Sequence, residues 1–180
     1  MKLTETQIKK VETDINALRN EVERQVSLKI EGKNNDDELR KANNNYQKYK
    51  DVTEFLWSDQ FRDKLKSSDK NSISDAILYL EVDPWYFRSG YLKERLLFSL
   101  KRSSLSSRNR ARILECFIKT MKSNRRWRVL RYYYPLLTKL FSPDQLETLM
   151  DELSLLSYPV ADDFYKYISQ YYASSNGKNS

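Results

Sequence analysis

The sequence predicts an all-α protein: an N-terminal helical hairpin with a coiled-coil-like seam, followed by an irregular helical body. Three observations carry this. The 180 residues hold only three Gly and four Pro, too little punctuation for a sheet-rich chain. Apolar residues recur at three- and four-residue spacings along most of the length. Capping signatures open several of those segments. Thirteen Tyr, seven Phe and three Trp supply bulk for a packed core despite the polar average.

The first helix opens on Thr4, with Gln7 three residues on as in a capping box. Ile8, Val11, Ile15, Leu18 and Val22 then form a narrow apolar seam, which Val26, Leu28 and Ile30 extend. Gly32 and the polar run 33–37 break it. A second helix is predicted from about Asp37, carrying Leu39, Ala42, Tyr46, Tyr49, Val52, Phe55 and Leu56. The short loop between them predicts an antiparallel hairpin. The same seam, facing a second copy, would make a dimeric coiled coil, so Ile8, Val11, Ile15, Leu18 and Val22 are also candidate contacts for a homo-oligomer or another protein. Residues 1–57 form this arm, and residues 58–71 a connector with one short helix on Phe61 and Leu65. The body spans 72–173, and 174–180 reads as a frayed tail.

Within the body, Ser72 is expected to cap a helix through Ala76, Ile77, Leu78 and Leu80. Asp83-Pro84 reads as a cap with Pro at the first helical position, restarting the chain in a new direction. The aromatic cluster Trp85-Tyr86-Phe87 sits in that turn. Ser89-Gly90 opens a helix carrying Leu92, Leu96, Leu97 and Leu100. Ser106 or Ser107 opens the next, with Ile113, Leu114, Phe117, Ile118 and Met121 inward. Asn124 is expected to cap a long helix containing Trp127, Leu130, Tyr134, Leu137 and Phe141, kinked at Pro135. Ser142-Pro143-Asp144-Gln145 combines a cap, Pro at the first position and Gln at the box position, ahead of Leu146, Leu149, Met150 and Leu153. Pro159 begins the last helix, with Asp162 and Asp163 near its positive end and Phe164, Tyr167, Ile168 and Tyr171 along one side.

The helix pairs, the Asp83-Pro84 turn and the repeated Ser/Pro starts resemble the HEAT/armadillo class of α-helical repeats over residues 72–173. A compact irregular helical bundle is the other arrangement these segments allow. The resemblance implies a binding scaffold with a curved surface and little chemistry of its own.

Charge gives the sharpest functional clue. Residues 84–142 hold fifteen Lys/Arg and two acids, Glu94 and Glu115: a net +13 in a chain whose total is +7. Such asymmetry calls for an anionic partner or an acidic surface of the same molecule. At 100° per residue, Arg108, Arg112, Lys119 and Lys122 fall on one arc opposite Ile113, Phe117 and Met121. Arg125, Arg128, Arg131 and Lys139 share a face away from Trp127, Leu130, Tyr134 and Leu137. Packed as neighbours, the two helices would present one positive surface suited to phosphates, with Tyr132 at its border to stack on an exposed base. Arg125 and Arg126 oppose the helix dipole at a helix start, and Arg126 projects onto the apolar arc; a phosphate, or a carboxylate such as Glu81 or Asp83, would explain them. The acidic segment from Pro143 is the internal alternative.

Catalytic chemistry is poorly supplied. There is no histidine. Cys116 is the lone cysteine, so it forms no internal disulfide and reads as a packing residue. The glycines are isolated at Gly32, Gly90 and Gly177, so no phosphate loop exists. Asp36-Asp37-Glu38 and Asp162-Asp163 lie at helix starts, which explains them without a metal. No cofactor, metal site or enzymatic activity is expected. The N-terminus MKLTETQIKK has no apolar stretch, and the longest uncharged run, 167–177, is short and polar. Neither a secretory signal nor a membrane span is expected, and a cytoplasmic location is. The leading expectation is a binding protein whose basic helices contact nucleic acid or a nucleoprotein. The second is an adaptor, inhibitor or immunity-type subunit binding an acidic protein, anchored by Trp85, Tyr86, Phe87 and the N-terminal seam.

Overall fold

The computed structural model describes residues 2–33, 36–123, 127–154 and 159–176, with the side chains of 127, 128, 154, 159–161 and 173–176 outside the description. Across the described residues the chain is all-helical, without a strand. The helices are α1 (Glu5–Ile30), α2 (Asp36–Lys48), α3 (Asp59–Lys66), α4 (Lys70–Val82), α5 (Ser89–Leu100), α6 (Ser107–Lys122), α7 (Trp127–Leu140), α8 (Pro143–Ser154) and α9 (Pro159–Asn176), with a 3-10 turn at Glu54–Trp57. No helix among the described residues is long and apolar enough to cross a membrane.

The predicted capping box opens α1: the Gln7 amide donates to Thr4 Oγ1 (3.3 Å) and the Thr4 amide to Gln7 Oε1 (3.0 Å). α2 runs back along α1. Lys29 meets Asp36 at 2.5 Å near the loop, and the Tyr49 hydroxyl donates to Asp14 Oδ2 (2.9 Å) at the far end. The second helix stops at Lys48, short of the predicted Tyr49, Val52, Phe55 and Leu56. The cause is local. The Asp51 carboxylate accepts from the Thr53 amide (2.6 Å) and hydroxyl (2.7 Å), a turn that competes with the helical ladder.

The first half of the α1 seam is closed by the chain itself, while Val26 and Ile30 at its far end stay exposed. Ile8, Val11 and Ile15 are buried, because α1 packs on α4 as well as α2. Leu18 and Val22 are half-buried. The Leu3 amide donates to the buried Asp75 (3.2 Å). One apolar cluster runs from Leu3 to Ile168 across the predicted boundaries at 57 and 71. The start of α1 shares this cluster with residues of the body. The pattern correctly marked the seam as apolar but could not say which surface it meets.

The short predicted connector helix is α3, with Phe61 and Leu65 buried. Two helix ends in the body differ from expectation. Asp69, not Ser72, caps α4; its carboxylate accepts from the Ser72 amide (2.8 Å) and hydroxyl (2.7 Å). Asp83-Pro84 starts no helix. Asp83 ends α4 in the left-handed region (φ 56°), and the chain crosses to Arg88 (φ 72°) before α5 begins. Asp tolerates that conformation better than most side chains, and its carboxylate is taken up by Lys93 (below). Ser106 caps α6, and Ser142 with Gln145 forms the box opening α8. The predicted Asn124 cap lies outside the described residues. Pro135 sits inside α7. α9 starts at Pro159 and continues to Asn176, past the predicted tail boundary at 174.

Helices α3 to α7 alternate between two layers. α3, α5, α7 and α9 pack side by side in that order; α4 packs on α6, with α1 against α4. Successive helices touch across the layers at α3–α4, α4–α5, α6–α7, α7–α8 and α8–α9. The aromatic supply fills the space between. Phe117 is fully buried among Tyr133, Tyr134 and Phe164, with ring centroids 5.7, 6.2 and 5.0 Å away.

Candidate anion-binding groove

The predicted basic ridge is not one open surface. α6 packs on α4, and this brings Arg112 and Lys119 beside the end of α4. Arg112 donates through Nε and Nη2 to the two carboxylate oxygens of Glu81 at 2.6 and 2.7 Å. That paired bond raises its pKa. Lys119 donates to the Glu81 carbonyl (2.7 Å). Lys139 donates to the carbonyl of Lys101. Arg108, Lys122 and Arg131 are exposed. Arg125 and Arg126 lie outside the described residues, as does the side chain of Arg128. Glu81, one of the carboxylates expected near Arg125 and Arg126, holds Arg112 with its carboxylate and Lys119 with its carbonyl. The helical wheel placed the cations on a common face but could not show that a neighbouring helix end borders that face.

The aromatic turn is divided. Tyr86 is buried, its hydroxyl 2.7 Å from that of Tyr79 and 3.4 Å from Thr53 Oγ1, so it is a structural residue. Trp85 and Phe87 are 58% and 50% exposed. α1 grips the turn: the Trp85 amide donates to Glu12 (2.8 Å), Asn16 Nδ2 donates to the Trp85 carbonyl (2.8 Å), and the Arg19 guanidinium lies 5.1 Å from the Phe87 ring centroid. Beneath it, Lys93 is 2% exposed and donates to Asp83 Oδ1 and the Pro84 carbonyl, both at 2.6 Å. Burial lowers the pKa of this ammonium. The ion pair fixes the left-handed end of α4.

A different set of cations faces open space. An open groove of about 550 Å³ runs over α7 between α5 and α9, within the range of about 300–1,000 Å³ usual for ligand sites. Leu97, Phe98 and Lys101 form one wall; Arg131, Tyr132, Tyr134 and Pro135 the floor; Asp163, Lys166, Tyr167 and Gln170 the other wall. Lys101, Arg131 and Lys166 bring three cations against the single acid Asp163. Arg102 adds a fourth at the rim, its guanidinium 4.3 Å from the centroid of Phe98, whose side is 53% exposed. Arg131 lies 5.2 Å from the centroid of Tyr132. None of Lys101, Arg102, Arg131 and Lys166 forms an ion pair among the described residues.

The contrast with the ridge is energetic. Displacing Arg112 from a two-pronged carboxylate means giving up charge-assisted hydrogen bonds, each about 1.5–3 kcal/mol. An exposed guanidinium over a ring is held by about 0.5–1 kcal/mol. A phosphate arriving at the groove finds cations that exchange partners cheaply. Of the predicted residues, Arg131 is brought into this groove, with Tyr132 beside it; Lys101, which lines it, accepts from Lys139 through its carbonyl. Phe98, Lys101, Arg102 and Lys166 were not among them. The first three share a sequence signal, an aromatic residue followed at three and four positions by cations at the end of a helix. Nothing in the sequence brings Lys166 of α9 to them.

Among the described residues no cluster of three or more His, Cys, Asp or Glu could hold a metal ion. The chain matches no family model, no curated protein and no solved structure. The class defined by fold and site is thus an all-α protein with a basic, aromatic-lined groove.

Proposed function

We propose that the protein binds nucleic acid, alone or within a nucleoprotein, through the α5–α7–α9 groove, without catalysing a reaction on it. The observation that carries this reading is the set of exposed cations Lys101, Arg131 and Lys166, which line one groove, with Arg102 over the ring of its lining residue Phe98, all outside any ion pair with the described residues. Phosphates would occupy the rims, releasing counterions as they bind. The two-layer alternation supports a HEAT-like scaffold, with successive helices of one layer lining the ligand face. A cytoplasmic setting accords with this ligand. The test is charge reversal at exposed positions. The double variant Arg102→Glu/Arg131→Glu is expected to lose binding to oligothymidylate in fluorescence anisotropy while keeping the helical circular dichroism of the parent. Unchanged affinity in that variant would remove the groove from the account.

A second reading has its own support. Trp85 and Phe87 are exposed on a turn that α1 and the Lys93–Asp83 pair hold rigid, with Arg19 and Arg88 beside Phe87. Exposed aromatics beside arginine are what protein interfaces use as anchors. An acidic protein would then dock at this turn. Capture of a protein partner that survives nuclease and is lost with Trp85→Ala/Phe87→Ala would favour it.

A further inference from the structure

Resting on the nucleic-acid reading, we infer that the groove selects single-stranded over duplex ligands, because it offers ring faces for unpaired bases between its phosphate-binding cations. The groove encloses about 550 Å³, and its floor and both walls carry aromatic side chains. Phe98 stands half in solvent on α5. Tyr132 is half-buried on α7, packed against the core on one side and fixed by it. Such a ring is a pre-positioned platform, since its rotamer freedom is already lost in the fold. Each ring has a guanidinium within cation–π reach: Arg102 at Phe98 and Arg131 at Tyr132.

Base and guanidinium can divide the work. An exposed cation–π contact is worth about 0.5–1 kcal/mol. A base stacked on an aromatic side chain is worth about 1–3 kcal/mol. The base therefore wins the ring face, and the displaced guanidinium moves to the adjoining phosphate, where its planar fork bonds two oxygens. Lys101 and Lys166, on opposite walls, serve the phosphates on either side. A duplex keeps its bases paired and stacked inside, so it can use the cations but not the rings. Stacking needs no particular hydrogen-bond edge, so little sequence preference is expected.

The experiment compares a labelled oligothymidylate, a duplex of the same length and thymidine monophosphate against the full chain and two variants, Phe98→Ala and Phe98→Trp. Phe98 is exposed, so neither change should disturb folding; thermal melting checks this. The inference expects the oligothymidylate to bind tightest. Phe98→Ala should weaken it about 5- to 100-fold, leave duplex binding unchanged and be rescued by Phe98→Trp. Equal affinity for duplex and single strand, or an oligothymidylate affinity unmoved by Phe98→Ala, overturns the inference while leaving the groove as a phosphate site. Mononucleotide binding as tight as the oligomer also overturns it, since the ligand would then be a free nucleotide. Failure of all three probes to bind overturns the nucleic-acid reading itself.

Discussion

Single residues explain why the cations of this chain are not equivalent. Lys93 lies in the interior and answers Asp83; Arg112 answers Glu81 across helices; Arg102 and Arg131 rest on rings. Breaking a buried ion pair by removing one of its partners costs about 3–5 kcal/mol. Lys93→Met should therefore destabilise the protein by about that much in urea denaturation. Asp83→Asn added to it should recover much of the loss, because Asn tolerates the left-handed conformation and carries no charge. A loss confined to a few tenths of a kcal/mol would mean that Asp83 is solvated after all. Cys116 supplies a second check. It is 2% exposed, and burial pushes its thiol up to about 12. Iodoacetamide should leave it unmodified in the native state and label it in denaturant. Native labelling at the rate of a free thiol would contradict its placement.

At the scale of elements, three helix starts are legible from a side chain that answers a local amide. Thr4 with Gln7, and Ser142 with Gln145, act over three residues as expected, and of the two serines expected to open α6 it is Ser106 that caps it. The misplaced boundaries involve competition or distant partners. Asp69 outcompeted Ser72 three positions away. Asp51 and Thr53 halted α2 with a side-chain turn. Asp83 ends a helix rather than starting one because Lys93 comes back ten residues later to meet it. The Asp69 cap has a pH signature. Hydrogen bonds from the Ser72 amide and hydroxyl lower its carboxyl below the usual value of 3.8. A depressed folded pKa means that this contribution is complete above the unfolded value and fades as the pH falls through the folded one. Asp69→Asn, which preserves the cap, should flatten the part of the acid-stability curve below 3.8 that this group supplies. A curve superimposable on the parent's would show that the carboxylate carries no such linkage.

For the whole molecule, composition read the class and the charge excess, but only the packing revealed which charges are open. The excess over 84–142 is real, and the chain's own groups take up part of it: the carboxylates of Glu81 and Asp83 hold Arg112 and Lys93, and backbone carbonyls hold Lys119 and Lys139. What remains gathers where α5, α7 and α9 lie side by side, an adjacency that spans about seventy residues of sequence and so leaves no short-range trace. Whether these cations meet phosphates is decided by titrating oligothymidylate binding over a series of salt concentrations. The logarithm of affinity is expected to fall linearly with the logarithm of salt, with a slope of about 0.7 for each phosphate contacted. Arg102→Glu/Arg131→Glu should abolish that binding. A single-strand affinity that does not change with salt would contradict phosphate contact.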